Sequence, residues 1–224
     1  MNIHSVMDRV PDSAAETGKT RTRQAIVTAA TELFAERGYH GTAMPEIAAH
    51  AEVGVGTIYR HFADKPALGN EVYRHCKRAM GAASWSQMGR GGAVAVAGAD
   101  PYRAEFLLVW RLLFGYALAH RSEFQFLEMH HHPDYLDAQS RALRDESAAP
   151  IQRFFERGIK AGAIAPLPVA ALVGLSWGAL VGVVRQVLDG LLQEDEALVE
   201  RAGQAAWSAI AASPISNAMR EPRK

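Results

Sequence analysis

A chain of 224 residues is long enough for one large domain or for a small domain joined to a larger one. Its 24 basic and 24 acidic side chains cancel, which argues against a protein that coats nucleic acid or membrane through net charge but leaves local patches open. The single cysteine, Cys76, excludes an intramolecular disulfide and fits a reducing cytoplasm. Residues 1–19 lack the apolar core of a signal peptide, so we expect a cytoplasmic protein.

Apolar residues recur at helical spacing along almost the whole chain, which predicts an all-α fold of about nine helices. The first helix carries an apolar stripe that includes Leu33 and Phe34, and it ends at Gly38, the residue type that commonly closes a helix. A short second helix follows, with Pro45 in its first turn, where a missing N–H does no harm. After a bend and a third helix, Asp64 is placed to cap a fourth.

Composition divides the chain into segments. A glycine-rich stretch over residues 89–101 is the best candidate for a domain boundary, and the alternative is a weak helix closed by a loop. The apolar run over residues 169–184 falls short of the roughly 20 residues that a bilayer span needs, so we expect a buried helix and no membrane partner. We predict a flexible tail over residues 1–18 and a helix-turn-helix domain over residues 19–66. A helical regulatory and dimerisation domain follows over residues 67–213, and residues 214–224 form a second flexible tail.

The stretch VGVGTIYRHFADK, residues 53–65, has two sides of different character. Ile58 and Phe62 lie four residues apart and turn inward, while glycine and a row of polar side chains face out. A helix enters the major groove by its N-terminal end, and small residues there let the backbone approach the duplex. The alternative is a three-helix unit that only packs, with its polar side in water. We predict DNA contacts from Val55, Gly56, Thr57, Tyr59 and His61, and a phosphate contact from Lys65.

The strings LFAERGYHGT, GTIYRHF and DKPAL follow one another within residues 21–74. This segment resembles the DNA-binding domain of the tetracycline-repressor-like (TetR/AcrR) transcriptional regulators. The resemblance implies that Thr42 and Lys65 bind phosphate and that the outward residues of the third helix form the recognition surface. It also implies a non-enzymatic repressor that binds a roughly palindromic DNA operator as a homodimer, uses no cofactor, and is released by a small, largely apolar molecule.

Two positions depart from the family pattern. Ala43 stands where the family usually has a threonine or serine that caps the second helix, so this cap is lost unless Thr42 replaces it. Glu52 stands where the bend usually has glycine, and a left-handed backbone there costs a non-glycine residue about 1 kcal/mol. Both changes weaken the motif slightly, and neither removes a group that faces the groove.

Small residues near the end of the chain indicate how two copies could meet. Gly174, Gly178 and Gly182 recur every fourth residue and make a smooth stripe that another helix can approach closely. Ala202 and Ala206 on the last helix extend this surface. We predict a dimer interface of four helices, two from each copy. The alternative is packing of the same small residues within one chain.

Large apolar side chains in the second domain are candidates for an effector pocket, although such groups more often form plain core. The segment EMHHHPD raises a competing hypothesis, because Glu128, His131 and His132 on a helix could hold a metal. We favour hydrogen-bonded or pocket-lining histidines and expect no metal site. We assign the effector pocket to Trp85, Trp110, Phe114, Phe126, Met129, His130 and Trp177.

Three classes of function remain open for the whole chain. The sequence contains no glycine-rich phosphate loop after a strand, no nucleophile elbow and no paired carboxylates in a cleft-like context, so we predict no catalytic residues. The leading interpretation is a ligand-responsive regulator. The competing interpretations are a helical metal-dependent protein built on the cluster from His130 to His132, and a membrane-associated helical protein that uses residues 169–184.

Overall fold

The computed structural model describes residues 13–84, 100–130, 132 and 134–212, and within these ranges it contains helices and no extended strand. The prediction of an all-α fold of about nine helices is confirmed. The candidate boundary over residues 89–101 lies largely outside the described residues, as does the second tail. The helices are α1 (Ser13–Arg37), α2 (Met44–His50), α3 (Val55–His61), α4 (Lys65–Ala83), α5 (Pro101–Ala119), α6 (Arg121–Met129), α7 (Ala138–Ala161), α8 (Val169–Leu188) and α9 (Glu196–Ile210).

The first three helices form a unit around one small core. Gly38 adopts a left-handed φ of 75° and ends α1, as its position in the sequence predicted. Leu33 and Phe34 on α1, Ile47 on α2 and Ile58 on α3 are all buried, so each helix contributes an apolar side to the shared core. This packing fixes the direction in which the opposite side of α3 faces.

Both departures from the family pattern are visible in the backbone. Ala43 occupies the N-cap of α2 without a side-chain acceptor, and its N–H donates to the Glu46 carboxylate at 2.6 Å. Glu52 has a φ of 55°, which confirms the left-handed bend predicted for this position. The Val53 N–H donates to the Ala48 carbonyl at 2.9 Å and holds the bend between α2 and α3.

Two predicted domain boundaries fall inside helices. α1 begins at Ser13, so the backbone of residues 13–18 is helical and does not belong to a flexible tail. α4 begins at Lys65, and the predicted cap residue Asp64 accepts a hydrogen bond from the Ala67 N–H at 2.8 Å. The helix then continues to Ala83, across the boundary predicted between residues 66 and 67. One continuous helix therefore joins the N-terminal unit to the rest of the chain.

The N-terminal unit also packs directly on α6. Phe126 on α6 stacks on Phe34 of α1, with ring centroids 6.0 Å apart. At the end of α6, His130 Nε2 donates to the Ala35 carbonyl at 2.9 Å. Because a carbonyl oxygen only accepts, this bond fixes the proton on Nε2. α1 and α6 are therefore held together by a ring contact and a hydrogen bond near the C-terminal end of each helix.

The structure corrects the prediction that residues 169–184 form a buried helix. α8 has 20 residues, of which Leu172, Leu180 and Val184 are buried, and 17% of its most apolar window is buried in one copy of the chain. Leu175 is 47% exposed. By length and composition alone, α8 is the helix among the described residues that could cross a bilayer. Exposed apolar surface along one helix is typical of a site that contacts another protein or lipid.

Gly203 on α9 is required by packing. A Cβ at this position would lie 2.8 Å from Trp110 Cδ1, and the buried indole donates to the Val199 carbonyl at 3.0 Å, so the ring is held in place. We expect Gly203→Ala to lower the free energy of unfolding by about 1–3 kcal/mol, measured by urea denaturation at matched protein concentration. Gly115→Ala is the control, because nothing lies within 4 Å of its Cβ and alanine favours a helix by about 1 kcal/mol. Equal effects of the two changes would contradict this packing.

Candidate nucleic-acid interface

α3 turns one side into the core and presents the other to solvent. Ile58 and Phe62 are buried, whereas Val55 is 36% and Tyr59 is 51% exposed. Gly56 is also exposed, and a Cβ at this position would meet no atom within 4 Å. The fold itself therefore does not require glycine here. The lack of a side chain at Gly56 instead allows another molecule to approach the backbone of α3 closely.

The outer side of α3 carries polar groups in positive surroundings. The Arg60 guanidinium donates to Thr57 Oγ1 at 2.9 Å at the surface. Burial lowers the pKa of His61, and the positive charges of Lys19, Arg23 and Arg60 lower it further. Arg60 was absent from the predicted site, although its position three residues after Thr57 places it on the same side of the helix. This surface combines hydrogen-bonding groups with an excess of positive charge, as a contact with phosphate requires.

Lys65 lies at the first position of α4 and is half-buried. Its ammonium lies 4.6 Å from the centre of the Tyr39 ring, a cation–π contact. Burial lowers the pKa of Lys65, and the nearby Glu46 carboxylate acts in the opposite direction. The Tyr39 ring stacks on Tyr135, with centroids 3.9 Å apart, so the position of Lys65 depends on the segment that precedes α7.

Thr42 does not lie at the surface where the resemblance placed it. It is 1% exposed, and its hydroxyl lies 2.9 Å from the Gly38 carbonyl oxygen and 3.2 Å from the Leu33 carbonyl oxygen. A buried hydroxyl that donates to the end of α1 is not available to a phosphate, so the implied phosphate contact is wrong for this side chain. Thr42 holds the turn between α1 and α2, and it does not replace the missing cap at Ala43.

A cavity of about 240 Å³ lies between α4, α5, α6, α7 and α8. Its wall is mostly apolar and aromatic, with a few polar groups, which is the usual character of a small-molecule site. Trp110 and Trp177, two of the residues that the sequence analysis assigned to an effector pocket, line this cavity. The sequence-based assignment missed all of the other lining residues, among them Lys77, Met80, Phe106, Glu128, Ile151 and Phe154.

The remaining predicted pocket residues do not line this cavity. Phe114 and Phe126 are fully buried in the core, and Met129 is half-buried at the end of α6. His130 bonds to the α1 backbone. Trp85 lies outside the described residues. An apolar side chain belongs to the core or to a cavity wall according to the helix registers around it, which the sequence alone does not reveal.

The histidine segment does not support the metal hypothesis. α6 ends at Met129, so the helical spacing on which that hypothesis depends is absent. His132 Nε2 donates to the Phe126 carbonyl at 2.6 Å, and its Nδ1 accepts from the Tyr135 hydroxyl at 2.7 Å. Burial lowers the pKa of His132 to about 4, so this imidazole is neutral near pH 7. His131 lies outside the described residues, among which no group of three potential ligands occurs.

The predicted dimer residues divide between the surface and the core. Gly174, Gly178 and Gly182 are exposed, and a Cβ at any of them would meet no atom within 4 Å. This glycine stripe faces away from the rest of the chain, which contradicts the alternative of packing within one copy. Ala202 is half-buried and Ala206 is buried against its own chain. Ala206 is therefore not available to a partner, and that part of the predicted interface is wrong.

Family comparisons agree with both parts of the chain. Residues 26–72 match the model for bacterial regulatory proteins of the tetR family, and residues 95–212 match the tetracyclin repressor-like C-terminal domain. The transcriptional repressor DhaR of Mycobacterium sp. (strain GP1) is 46% identical over 54 residues, and the regulator UidR of Escherichia coli (strain K12) is 43% identical over 53 residues. Each match covers 24% of this chain and 27% or 26% of the relative, about a quarter of its length.

Solved structures extend the similarity to nearly the whole chain. A TetR family regulator from Marinobacter aquaeolei VT8 shares the fold with a TM-score of 0.76 at 22% identity, covering 88% of this chain and 100% of that one. A TetR family protein from Vibrio parahaemolyticus is 30% identical with a TM-score of 0.62, covering 85% of this chain and 98% of that one. The C-terminal family model alone matches more than half of the sequence. The chain therefore belongs to the tetR family of bacterial regulatory proteins.

Proposed function

We propose that this chain is a cytoplasmic, ligand-responsive transcriptional repressor that binds a roughly palindromic DNA operator as a homodimer. The observation that carries the proposal is the outer side of α3, where Val55, Gly56 and Tyr59 face solvent beside Arg60 while Ile58 closes the core. The second helix of a helix-turn-helix enters the major groove with its N-terminal residues against base edges. The name of the similar protein DhaR, a transcriptional repressor, supports repression.

The composition of α3 indicates how its operator is read. Val55 and Gly56 offer few hydrogen bonds to bases, so direct readout is modest, and apolar contact with thymine methyl groups is the natural role of Val55. Phosphate contacts from the basic residues around the helix then carry much of the affinity. Binding consequently depends steeply on salt.

A gel-shift assay with the DNA that flanks the chain's own coding region tests the proposal. Specific binding that weakens steeply with salt supports it. Absence of specific binding across a pool of genomic fragments contradicts it. The same assay separates the regulator from a metal-dependent or a membrane-associated protein, because neither of those functions requires sequence-specific DNA binding.

The exposed surface of α8 supports the homodimer. Its glycine stripe lets a second α8 approach closely, and the exposed Leu175 gains a protein cover when two copies meet. A membrane is the other possible cover, but α8 is built into the fold through Leu172, Leu180 and Val184, which pack in the core. Two recognition helices about 34 Å apart then read half-sites one DNA turn apart, which makes the operator roughly palindromic.

The cavity supports release by a small molecule because its walls continue to the DNA-binding unit. Lys77 lies on α4, the helix that begins at Lys65, and Glu128 lies on α6, the helix that packs on α1. A molecule that fits the cavity better when these helices are displaced favours another spacing of the two recognition helices. Binding of this molecule then weakens the affinity of the protein for DNA. By linkage, bound DNA weakens the affinity of the protein for the molecule by the same factor.

Lys65→Ala should weaken binding to operator and random DNA by the same factor, because a phosphate contact carries no sequence information. The slope of log affinity against log salt should fall by about 1. Fluorescence anisotropy over a salt series measures both effects. Lys160→Ala is the control, since it removes an exposed lysine on α7 outside the DNA-binding unit. A change in sequence preference, or an unchanged salt slope, would argue against a phosphate contact at Lys65.

A further inference from the structure

The cavity contains a mostly buried pair of opposite charges. Glu128 on α6 has a side chain 12% exposed, Lys77 on α4 has one 19% exposed, and the Oε1–Nζ distance is 4.0 Å. Glu128 Oε2 accepts a hydrogen bond from Trp177 Nε1 on α8 at 2.6 Å. Three helices thus meet at one polar point in a cavity whose wall is mostly apolar.

The 4.0 Å separation is too long for a direct hydrogen bond between the two charged groups. A hydroxyl group placed beside both can donate to the Glu128 carboxylate and accept from the Lys77 ammonium. Burial raises the pKa of Glu128, while Lys77 and the Trp177 N–H act in the opposite direction, so its two neighbours favour the charged form of this carboxyl.

The positive charge at the edge of the cavity also has an acidic neighbour. Arg144 is the third charged residue that lines it, and its side chain is half-exposed. Arg144 Nε lies 2.9 Å from the Asp145 carboxylate. Arg144 is therefore paired at the surface, and inside the cavity the mostly buried charges of Lys77 and Glu128 balance each other.

We infer that the occupant of this cavity is an uncharged, largely aromatic molecule whose single hydroxyl group lies between Glu128 and Lys77. A charged molecule would bring an unbalanced charge into an apolar space, which is costly unless a buried partner compensates it. A cavity of about 150 Å³ holds benzene, so 240 Å³ holds about ten non-hydrogen atoms. This inference rests on the proposed function, because it identifies the class of effector that the repressor answers to.

The inference predicts that the cavity prefers an uncharged ligand to an ion of either sign, and we call this the charge rule. Three probes of similar shape test it by isothermal titration calorimetry on the full-length protein at pH 7. They are 2-naphthol, 2-naphthoate and 2-naphthylmethylammonium. We expect 2-naphthol to bind at least about tenfold more tightly than either ion. Stronger binding of an ion, or no binding of 2-naphthol, overturns the inference.

Two variants give a signature that general damage to the fold does not produce. Glu128→Gln leaves Lys77 without its buried partner, so preference should move to 2-naphthoate. Lys77→Met leaves the Glu128 carboxylate without its cation, so preference should move to 2-naphthylmethylammonium. Arg144→Gln, at the exposed edge, should keep the preference of the original protein for 2-naphthol. If neither buried variant changes the order of the probes, the charge pair does not select the ligand. Should one variant fail to fold, the other and the original protein still decide.

The two proposals can fail separately. If 2-naphthol binds with the expected preference but the protein shows no specific DNA binding, the proposed function falls and the assignment of the cavity stands. If the protein binds its operator but the probes do not follow the charge rule, the cavity assignment falls and the repressor remains.

Discussion

Replacing Gly56 by glutamate should remove specific DNA binding while the protein stays folded. The position is exposed near the start of α3, and a Cβ there meets no atom within 4 Å, so the longer side chain has room. Glutamate favours a helix over glycine by roughly 0.5–1 kcal/mol and suits the first turn of a helix, so stability should not fall. In a complex, however, the carboxylate would lie between α3 and the phosphate-rich groove. Affinity for the operator should drop on the order of a hundredfold.

Gly115→Glu provides the matched control for this experiment. Gly115 is also an exposed helical glycine without neighbours at its Cβ, but it lies on α5. Both variants therefore change net charge and helix propensity alike, and only the Gly56 variant should lose binding in an anisotropy titration. If Gly56→Glu bound the operator as well as the original protein, α3 would not be the helix that enters the groove.

The N-terminal unit could be predicted in detail because its signals are local. Gly38 ends a helix and Asp64 begins one through contacts within a few residues, and both act as the sequence indicated. The prediction that Thr42 contacts phosphate was wrong because the exposure of this side chain is not a local property. Its motif position was correct, but the partner of its hydroxyl is the end of α1, and the resulting burial depends on how two helices pack. A motif gives the position of a residue and leaves its exposure open.

The residues that line the cavity could be predicted only in part, because the cavity is the space that packed side chains leave empty. Trp110 and Phe114 lie four residues apart on α5 and look equivalent in sequence, yet one lines the cavity and the other is core. Glu128 was considered only as a metal ligand, since its true neighbours, Lys77 and Trp177, are 51 and 49 positions away and belong to other helices. Such long-range pairs follow from helix registers that no local pattern specifies.

The surface that covers α8 could not be predicted from the sequence either. The apolar sequence of α8 predicts a buried helix, but composition does not say which surface covers it. The buried side, with Leu172, is covered by the chain itself, whereas the side with Gly178 is not. The regular spacing of the glycines predicts which side a second helix would approach, because a stripe of small residues allows close contact.

Gly178→Leu should convert the proposed dimer into a monomer. Gly178 is the middle residue of the exposed stripe, so in a two-fold contact each new leucine would meet the partner at the point of closest approach. Within one copy the leucine has room, and it favours the helix by about 1 kcal/mol over glycine. Sedimentation velocity at micromolar concentration should show one species of half the mass. A monomer contacts one half-site, so operator affinity should fall by on the order of 10²–10⁴.

Gly115→Leu separates this effect from the general addition of an exposed leucine, since its surroundings in one copy are equally open. That variant should remain a dimer with normal operator affinity. A dimeric Gly178→Leu protein would place the interface elsewhere and leave the apolar side of α8 for another partner. A monomer that binds the operator without loss would separate dimerisation from DNA recognition. The combined loss of dimer and operator binding is expected only if α8 sets the distance between the two α3 helices, because avidity requires both to engage at once.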